Sequence, residues 1–242
     1  MTSLLRAELL KLRTLRSTWA VGAVAVALSG TIGVAVTHVA DASAPGLRDL
    51  VLAPAQPLHF LVVLLAVVAA AGEFQHHTVR TTLLAAPRRG RVLAAKAAVS
   101  AVVGAAVSLA GSAVAVAAGL ASMSFAGDPL PGPSLRALGA LVGVAALGAV
   151  WAVVGTGLGV LTRSTAAAVT AVLLWRFVGE GLVPVVTRSP GMSRWTPSGA
   201  GNALMGNGDH LLGVLPASLL LGGYAAAVVG AAATLFVRRD PA

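Results

Sequence analysis

Residues 135–186 read LRALGALVGVAALGAVWAVVGTGLGVLTRSTAAAVTAVLLWRFVGEGLVPVV. Two apolar runs, Leu135–Leu161 and Thr165–Val186, are separated here only by Thr162-Arg163-Ser164. Each run is long enough to cross a bilayer core as a helix, which takes about 20 residues. A chain in hydrocarbon must bond every backbone N–H and C=O within the segment, and a helix does so. The alternative is a barrel strand of about 10 residues with alternating character. Runs such as Val62–Ala71 show no alternation. The stretch therefore predicts two membrane-spanning helices joined by a tight turn.

Four more runs flank this hairpin. They are Trp19–Val39, Gln56–Gly72, Ala97–Met123 and Leu211–Val237. The run Gln56–Gly72 is short and begins near Pro54 and Pro57. Gly127-Asp128-Pro129-Leu130-Pro131-Gly132-Pro133 separates the third run from the fourth with a dense set of helix breakers. The expected fold is all-α, a six-helix transmembrane bundle forming one domain over residues 1–242.

Composition agrees. Charged residues are 10% of the chain and hydrophobic ones 57%, whereas a soluble domain carries about 25% charged residues. So few charges cannot coat a surface in water. The 28 glycines and the many alanines let helices approach closely in lipid. Absence of cysteine excludes disulfides, thiolate catalysis and Cys-ligated zinc. A net charge of +9 points to nucleic acid in a soluble protein. Here the cations sit at the ends of apolar runs, so no nucleic-acid partner is expected.

Their distribution sets topology. Arg6, Lys11, Arg13, Arg16, Arg80, Arg88, Arg89, Arg91, Lys96, Arg163, Arg238 and Arg239 fall on one side. Arg48, Arg136, Arg188 and Arg194 fall on the other. Both termini are expected in the cytoplasm of a multi-pass plasma-membrane protein, and an even number of spans, which puts both ends on one side, agrees independently. Ala42-Ser43-Ala44 resembles a signal-peptide cleavage site, but the run before it has 21 residues, longer than the roughly 7–15 of a signal core.

Three further segments carry information. In residues 1–18, Leu4, Leu5, Leu9, Leu12 and Leu15, together with Trp19, fall in one arc of about 140° at helical spacing. That predicts an amphipathic interfacial helix, or simply a basic flank that sets topology; Glu8 and Arg16 interrupt the stripe. In residues 73–96, Thr78–Ala86 can form a short helix that Pro87 ends, because the residue before proline is pushed out of the α region. Such an element suits docking of a soluble partner, although its cations would equally hold the loop inside. In the fifth run, Arg176 and Glu180 are spaced i,i+4 on one face. A central arginine costs roughly 2.5–3.5 kcal/mol on the insertion scale, so the pair is expected against other helices or a wet cavity. It can line a cargo path, lock two subunits or fix the rotation of its helix.

Catalytic signatures are missing. The two lysines follow Leu10 and Ala95, so neither belongs to a phosphate-binding loop of the type G-x-x-x-x-G-K-[ST]. His38, His59, His76, His77 and His210 are scattered, and His76 and His77 diverge by about 100° on a helix. No metal, cofactor or covalent chemistry is expected. Gly139-x-x-x-Gly143 and Gly155-x-x-x-Gly159 permit close helix crossing, within the chain or across a dimer.

The chain resembles the permease subunit of a type-2 ABC transporter over nearly its whole length. The likeness rests on Ala7-Glu8-Leu9-Leu10-Lys11-Leu12-Arg13 and on Gly72-Glu73-Phe74 with Thr78, Arg80, Leu84, Pro87, Arg89 and Lys96. The short turn after Leu161, with Arg163 and Ser164, adds to it. The resemblance implies a permease homodimer or heterodimer and a separate ATPase subunit that binds ATP and Mg. It also implies a coupling helix seated in that ATPase. It assigns Glu73, Thr78, Arg80, Pro87 and Arg89 to coupling, and short re-entrant helices to the extracytoplasmic loop 187–210. The expected function is export of a drug, peptide, lipid or ion. The rivals are an ion-coupled secondary transporter, which calls for discontinuous spans and midplane charges, and a non-transporting anchor or sensor.

Overall fold

The structure, a computed structural model, describes residues 2–39, 45–207 and 211–238. Ala42-Ser43-Ala44, His210, Arg239 and the end of segment 187–210 lie outside the described residues. All regular structure among the described residues is helical. The helices are α1 (Thr2–Thr14), α2 (Arg16–Val39), α3 (Leu47–Leu52), α4 (Ala55–Gln75), α5 (Thr78–Ala85) and α6 (Arg89–Ala126). They continue as α7 (Leu135–Thr162), α8 (Thr165–Leu174), α9 (Glu180–Val186), α10 (Pro197–Met205) and α11 (Val214–Arg238). A π turn, Trp175–Gly179, joins α8 to α9, and a 3-10 helix, Pro190–Trp195, precedes α10. Six crossings result: α2, α3 with α4, α6, α7, α8 with α9, and α11.

The predicted hairpin forms as read. Arg163 takes a left-handed conformation, φ 54°, and its N–H bonds the Gly159 carbonyl to close α7. The next residue, Ser164, caps α8 by accepting the Ala167 N–H. Three residues thus suffice to reverse the chain.

Three spans differ from the expectation. The second extends over Leu47–Gln75, because α3 leads almost directly into α4. Pro57 does not delay it, since it lies in the first turn of α4 where no intrahelical N–H is required. The third begins at Arg89, eight residues before the apolar run, and has 38 residues. At 1.5 Å per residue it is roughly 57 Å long, so its basic first turns project beyond a hydrocarbon core of about 30 Å. The fifth is broken by the π turn, where the Glu180 N–H bonds the Trp175 carbonyl, and Pro184 interrupts α9.

Helix α7 packs on α4, α6 and α11, and α6 packs on α2. Glycine sets the separations. A Cβ on Gly148 would collide with Ser108 and the Gly104 carbonyl of α6. One on Gly155 or Gly159 would strike the Val63 or Val67 carbonyl of α4. Gly143 lies against the Leu204 carbonyl of α10. The spacing at Gly155 and Gly159 therefore serves packing within the chain, where close van der Waals contact replaces the hydrophobic drive that lipid cannot supply. The fifth span is the loosest: no apolar residue from Val169 to Val186 is buried.

Candidate functional site

One end of the bundle carries α1, α5, the start of α6, the α7–α8 turn and the end of α11. An aromatic and aliphatic cluster welds it together. Phe74 of α4, Val79 of α5, Leu93 of α6, Val160 of α7 and Phe236 of α11 pack there. Phe74 and Phe236 meet edge to face at 5.9 Å, and the Arg163 guanidinium lies 5.2 Å from the Phe74 ring centre.

His77, at φ 57°, turns the chain from α4 into α5. Helix α5 spends its inward side on that cluster through Val79, with Leu83 packed against it. The same i,i+4 spacing carries Arg80 and Leu84 outward, and Leu84 is 86% exposed. Thr78 and Pro87 are exposed as well. The remaining two residues assigned to coupling by resemblance face the bundle. Arg89 donates to the Phe236 and Val237 carbonyls at 2.9 and 3.1 Å, capping the last turn of α11.

The other inward residue, Glu73, belongs to a four-charge cluster. Lys96 Nζ donates to Glu73 Oε1 at 2.6 Å and to Glu8 Oε2 at 2.8 Å. Lys11 Nζ donates to Glu8 Oε1 at 2.7 Å, Glu73 Oε1 at 3.3 Å and Thr82 Oγ1 at 3.0 Å. Glu8, Glu73 and Lys96 side chains are about nine-tenths buried, at 6%, 12% and 10% exposure. The cluster joins α1, α4, α5 and α6 with two cations and two anions. By helical pattern alone Glu8 interrupts an apolar stripe and Lys96 flanks a span; both also belong to the motifs that carry the resemblance, but neither reading pairs them. One signal was available: Lys11 and Lys96 are the chain's only lysines beside 15 arginines. A compact ammonium can be shared between two carboxylates, whereas a planar guanidinium favours one bidentate partner.

Burial works to raise the Glu8 carboxyl, but Lys96 and Lys11 outweigh it and hold the group below 4.5. Burial works to lower the Lys11 ammonium, but its bonds to Glu8 and the charge of Glu73 outweigh it and lift the group above 10.5. Glu8 then stabilises the fold above pH 4.5, and that contribution fades as pH falls through its depressed value. Lys11 stabilises it below pH 10.5, fading as pH rises through its elevated value. Thermal unfolding in detergent should show this pair's contribution constant between those limits and declining outside them. In the Glu8→Gln variant the acid-side decline should shrink.

A second polar network lies at the opposite half of the bundle. Arg176, in the π turn, pairs with Glu180 at 3.4 Å and donates to Gln56 Oε1 at 3.2 Å. Glu180 Oε1 accepts the Ser198 N–H at 3.1 Å, in the first turn of α10. Gln56 Nε2 donates to Asn202 Oδ1 on α10 at 2.8 Å. Arg48 Nη2 donates to the Met205 and Gly206 carbonyls at its far end. Helix α10 thus has an acid at its positive end and a cation at its negative end, as its dipole favours. Its apolar face, with Ala200 and Ala203, packs on Val144 and Leu147 of α7. Segment 187–210, to which the resemblance assigns re-entrant helices, therefore contains a helix, α10, that is fastened to the bundle.

His59 is buried, and its Nε2 donates to the Val144 carbonyl at 3.1 Å. That is a structural bond between α4 and α7. Among the described residues no three His, Asp or Glu side chains gather as metal ligands would.

A family model described as "ABC-2 family transporter protein" covers residues 4–179, from α1 to the end of the π turn. The matched stretch includes Glu8, the whole segment 73–96 and Arg176, and stops just before Glu180. No curated protein matches the chain.

Proposed function

Because the chain belongs to the ABC-2 transporter family and is the membrane permease subunit of an ABC transporter, we propose that it exports its cargo across the plasma membrane with a separate ATPase docked on α5. The observation that carries this reading is the division of α5 into two faces. Val79 and Leu83 anchor it, while Arg80 and Leu84 are presented outward beside exposed Thr78 and Pro87. Leu84, 86% exposed, and the Arg80 cation together offer a partner one apolar and one charged contact on the same outward face.

The mechanism is mechanical. Nucleotide binding and hydrolysis belong to the ATPase, and this chain contributes no covalent step. Closure of the ATPase pushes α5. Lys11 passes that push from Thr82 to α1, and Lys96 and Glu73 pass it between α6 and α4. These helices then shift as one body against the loosely packed fifth span. Glu73 and Arg89 act as the root of the coupling segment 73–96, and Thr78, Arg80 and Pro87 as its contact surface. The basic end faces the cytoplasm, with both termini there, in keeping with the side on which lysine and arginine concentrate. Residues 1–18 lie along the inner leaflet. Residues 187–210 form the extracytoplasmic loop, and the whole chain is one transmembrane domain. The exposed apolar side of α8, the π turn and α9, with Leu174, Phe177 and Val185, suits a second permease chain.

The broken fifth span with its charge pair is also what an ion-coupled carrier uses. Dependence on an ATPase separates the two. Co-purification with its ATPase subunit should fall at least about tenfold in Leu84→Asp and Arg80→Glu, an interface loss of about 1.4 kcal/mol. Unchanged recovery of the ATPase with both variants would overturn docking on α5.

A further inference from the structure

The fifth span stands away from the rest of the bundle and leaves a cavity of about 370 Å3. Helix α4 contributes Phe60 and α7 contributes Trp151, α8 and the π turn contribute Ala171, Trp175 and Arg176, and α11 contributes Tyr224. Helix α10 borders the cavity through Pro197, Ser198, Gly201 and Met205. The wall is almost wholly apolar. Ala171 and Trp175 line it yet remain exposed. The cavity is therefore open beside the fifth span, at the level of hydrocarbon. Its volume lies within the range of about 300–1,000 Å3 that holds small-molecule ligands.

Arg176 is the one cationic side chain in this wall. Each oxygen of its carboxylate partner already accepts a bond: Glu180 Oε2 takes the guanidinium and Oε1 takes the Ser198 N–H. A guanidinium carries five N–H donors. One goes to Glu180 and one to Gln56, and the side chain is still 40% exposed. Donors are thus in excess of acceptors at the polar end of an otherwise apolar chamber. The first turn of α10 adds positive potential at the same place.

We propose that this cavity binds an anionic amphiphile drawn from the bilayer, its hydrocarbon body among Phe60, Trp151 and Trp175 and its oxyanion on Arg176. That this occupant is the transporter's cargo rests on the export reading above; that it binds does not. An aqueous route is unnecessary, since such a molecule partitions into lipid first. A neutral or cationic amphiphile fills the same space but gains nothing from the spare donors.

The test uses the full chain, without ATPase, in phosphatidylcholine nanodiscs. It is photolabelled with a diazirine-bearing fatty acid, the matching alcohol and the matching trimethylammonium compound, and adducts are mapped by mass spectrometry. The acid should label the cavity wall most strongly. Arg176→Gln should reduce labelling by the acid about tenfold or more, as loss of a charged hydrogen bond does, and leave the alcohol unchanged. Ala171→Trp should abolish labelling by all three, while Val102→Trp, at an exposed position of α6 outside the cavity wall, should retain it. Adding phosphatidylglycerol to the discs distinguishes the source. Competition identifies an anionic membrane lipid, and no competition identifies a free amphiphile; both support an oxyanion site. Equal labelling by the three probes, or labelling indifferent to Ala171→Trp, would overturn it. Because no ATPase is present, a negative result leaves coupling at α5 standing, and loss of ATPase co-purification leaves this site standing.

Discussion

Replacing Lys96 by Met is expected to destabilise the folded chain by about 3–5 kcal/mol, the usual loss when one partner of a buried ion pair is removed. Lys96 lies between Glu8 and Glu73, at 2.8 and 2.6 Å. Without it, two buried carboxylates share only Lys11, which is 3.3 Å from Glu73. Glu73 Oε2 is already buried with no hydrogen-bond partner, so the site has no reserve of donors. Removing Glu8 at the same time, as Lys96→Met with Glu8→Leu, restores one cation to one anion and should recover most of the loss. Thermal unfolding in detergent measures both. A single variant as stable as the parent would show that the cluster does not hold α1 to α6. If the cluster also transmits the movement of α5, the double variant should fold yet uncouple ATP hydrolysis from transport.

The second large effect is expected at Glu180. Its side chain is 8% exposed and serves two partners, Arg176 and the Ser198 N–H. Glu180→Leu leaves a cation uncompensated in the membrane and one N–H of the first turn of α10 unsatisfied. The loss should again be about 3–5 kcal/mol. Glu180→Gln should lose less, because its amide oxygen can still accept from Ser198. The paired change, Arg176→Met with Glu180→Leu, should lie between the parent and the single Leu variant. Equal stability of the Gln and Leu variants would mean that the bond to α10 contributes nothing. Arg176→Ala should also reduce export at normal protein level; normal export would remove Arg176 from the cargo path.

The two networks were unequally visible. The Arg176–Glu180 pair was legible because both residues lie on one helix four positions apart, where spacing alone predicts contact. Its links to Gln56 and Ser198 were not, because they cross 120 and 18 residues of chain. The cluster at the basic end was hidden for the same reason. Glu8 and Lys96 are 88 residues apart, and a helical pattern read on α1 alone makes Glu8 an error in an apolar stripe. Charge at the head of α6 was read as the limit of a span, whereas the helix continues outward once those charges have carboxylates and carbonyls to bind.

The sequence by itself determined the six crossings, the tight turn at Thr162–Ser164 and the short helix ended by Pro87. Each depends on what a local run can do alone: satisfy its own backbone, meet hydrocarbon with apolar side chains in the spans, or stop at a breaker or cap between them. Only the tertiary structure decided that α6 begins at Arg89, that the fifth span breaks at Trp175, that α10 is held between Glu180 and Arg48, and that both lysines meet on Glu8 and Glu73. Those outcomes depend on which helix stands beside which, and a polar group in a dry interior is stabilised only by the partner that a distant segment brings to it.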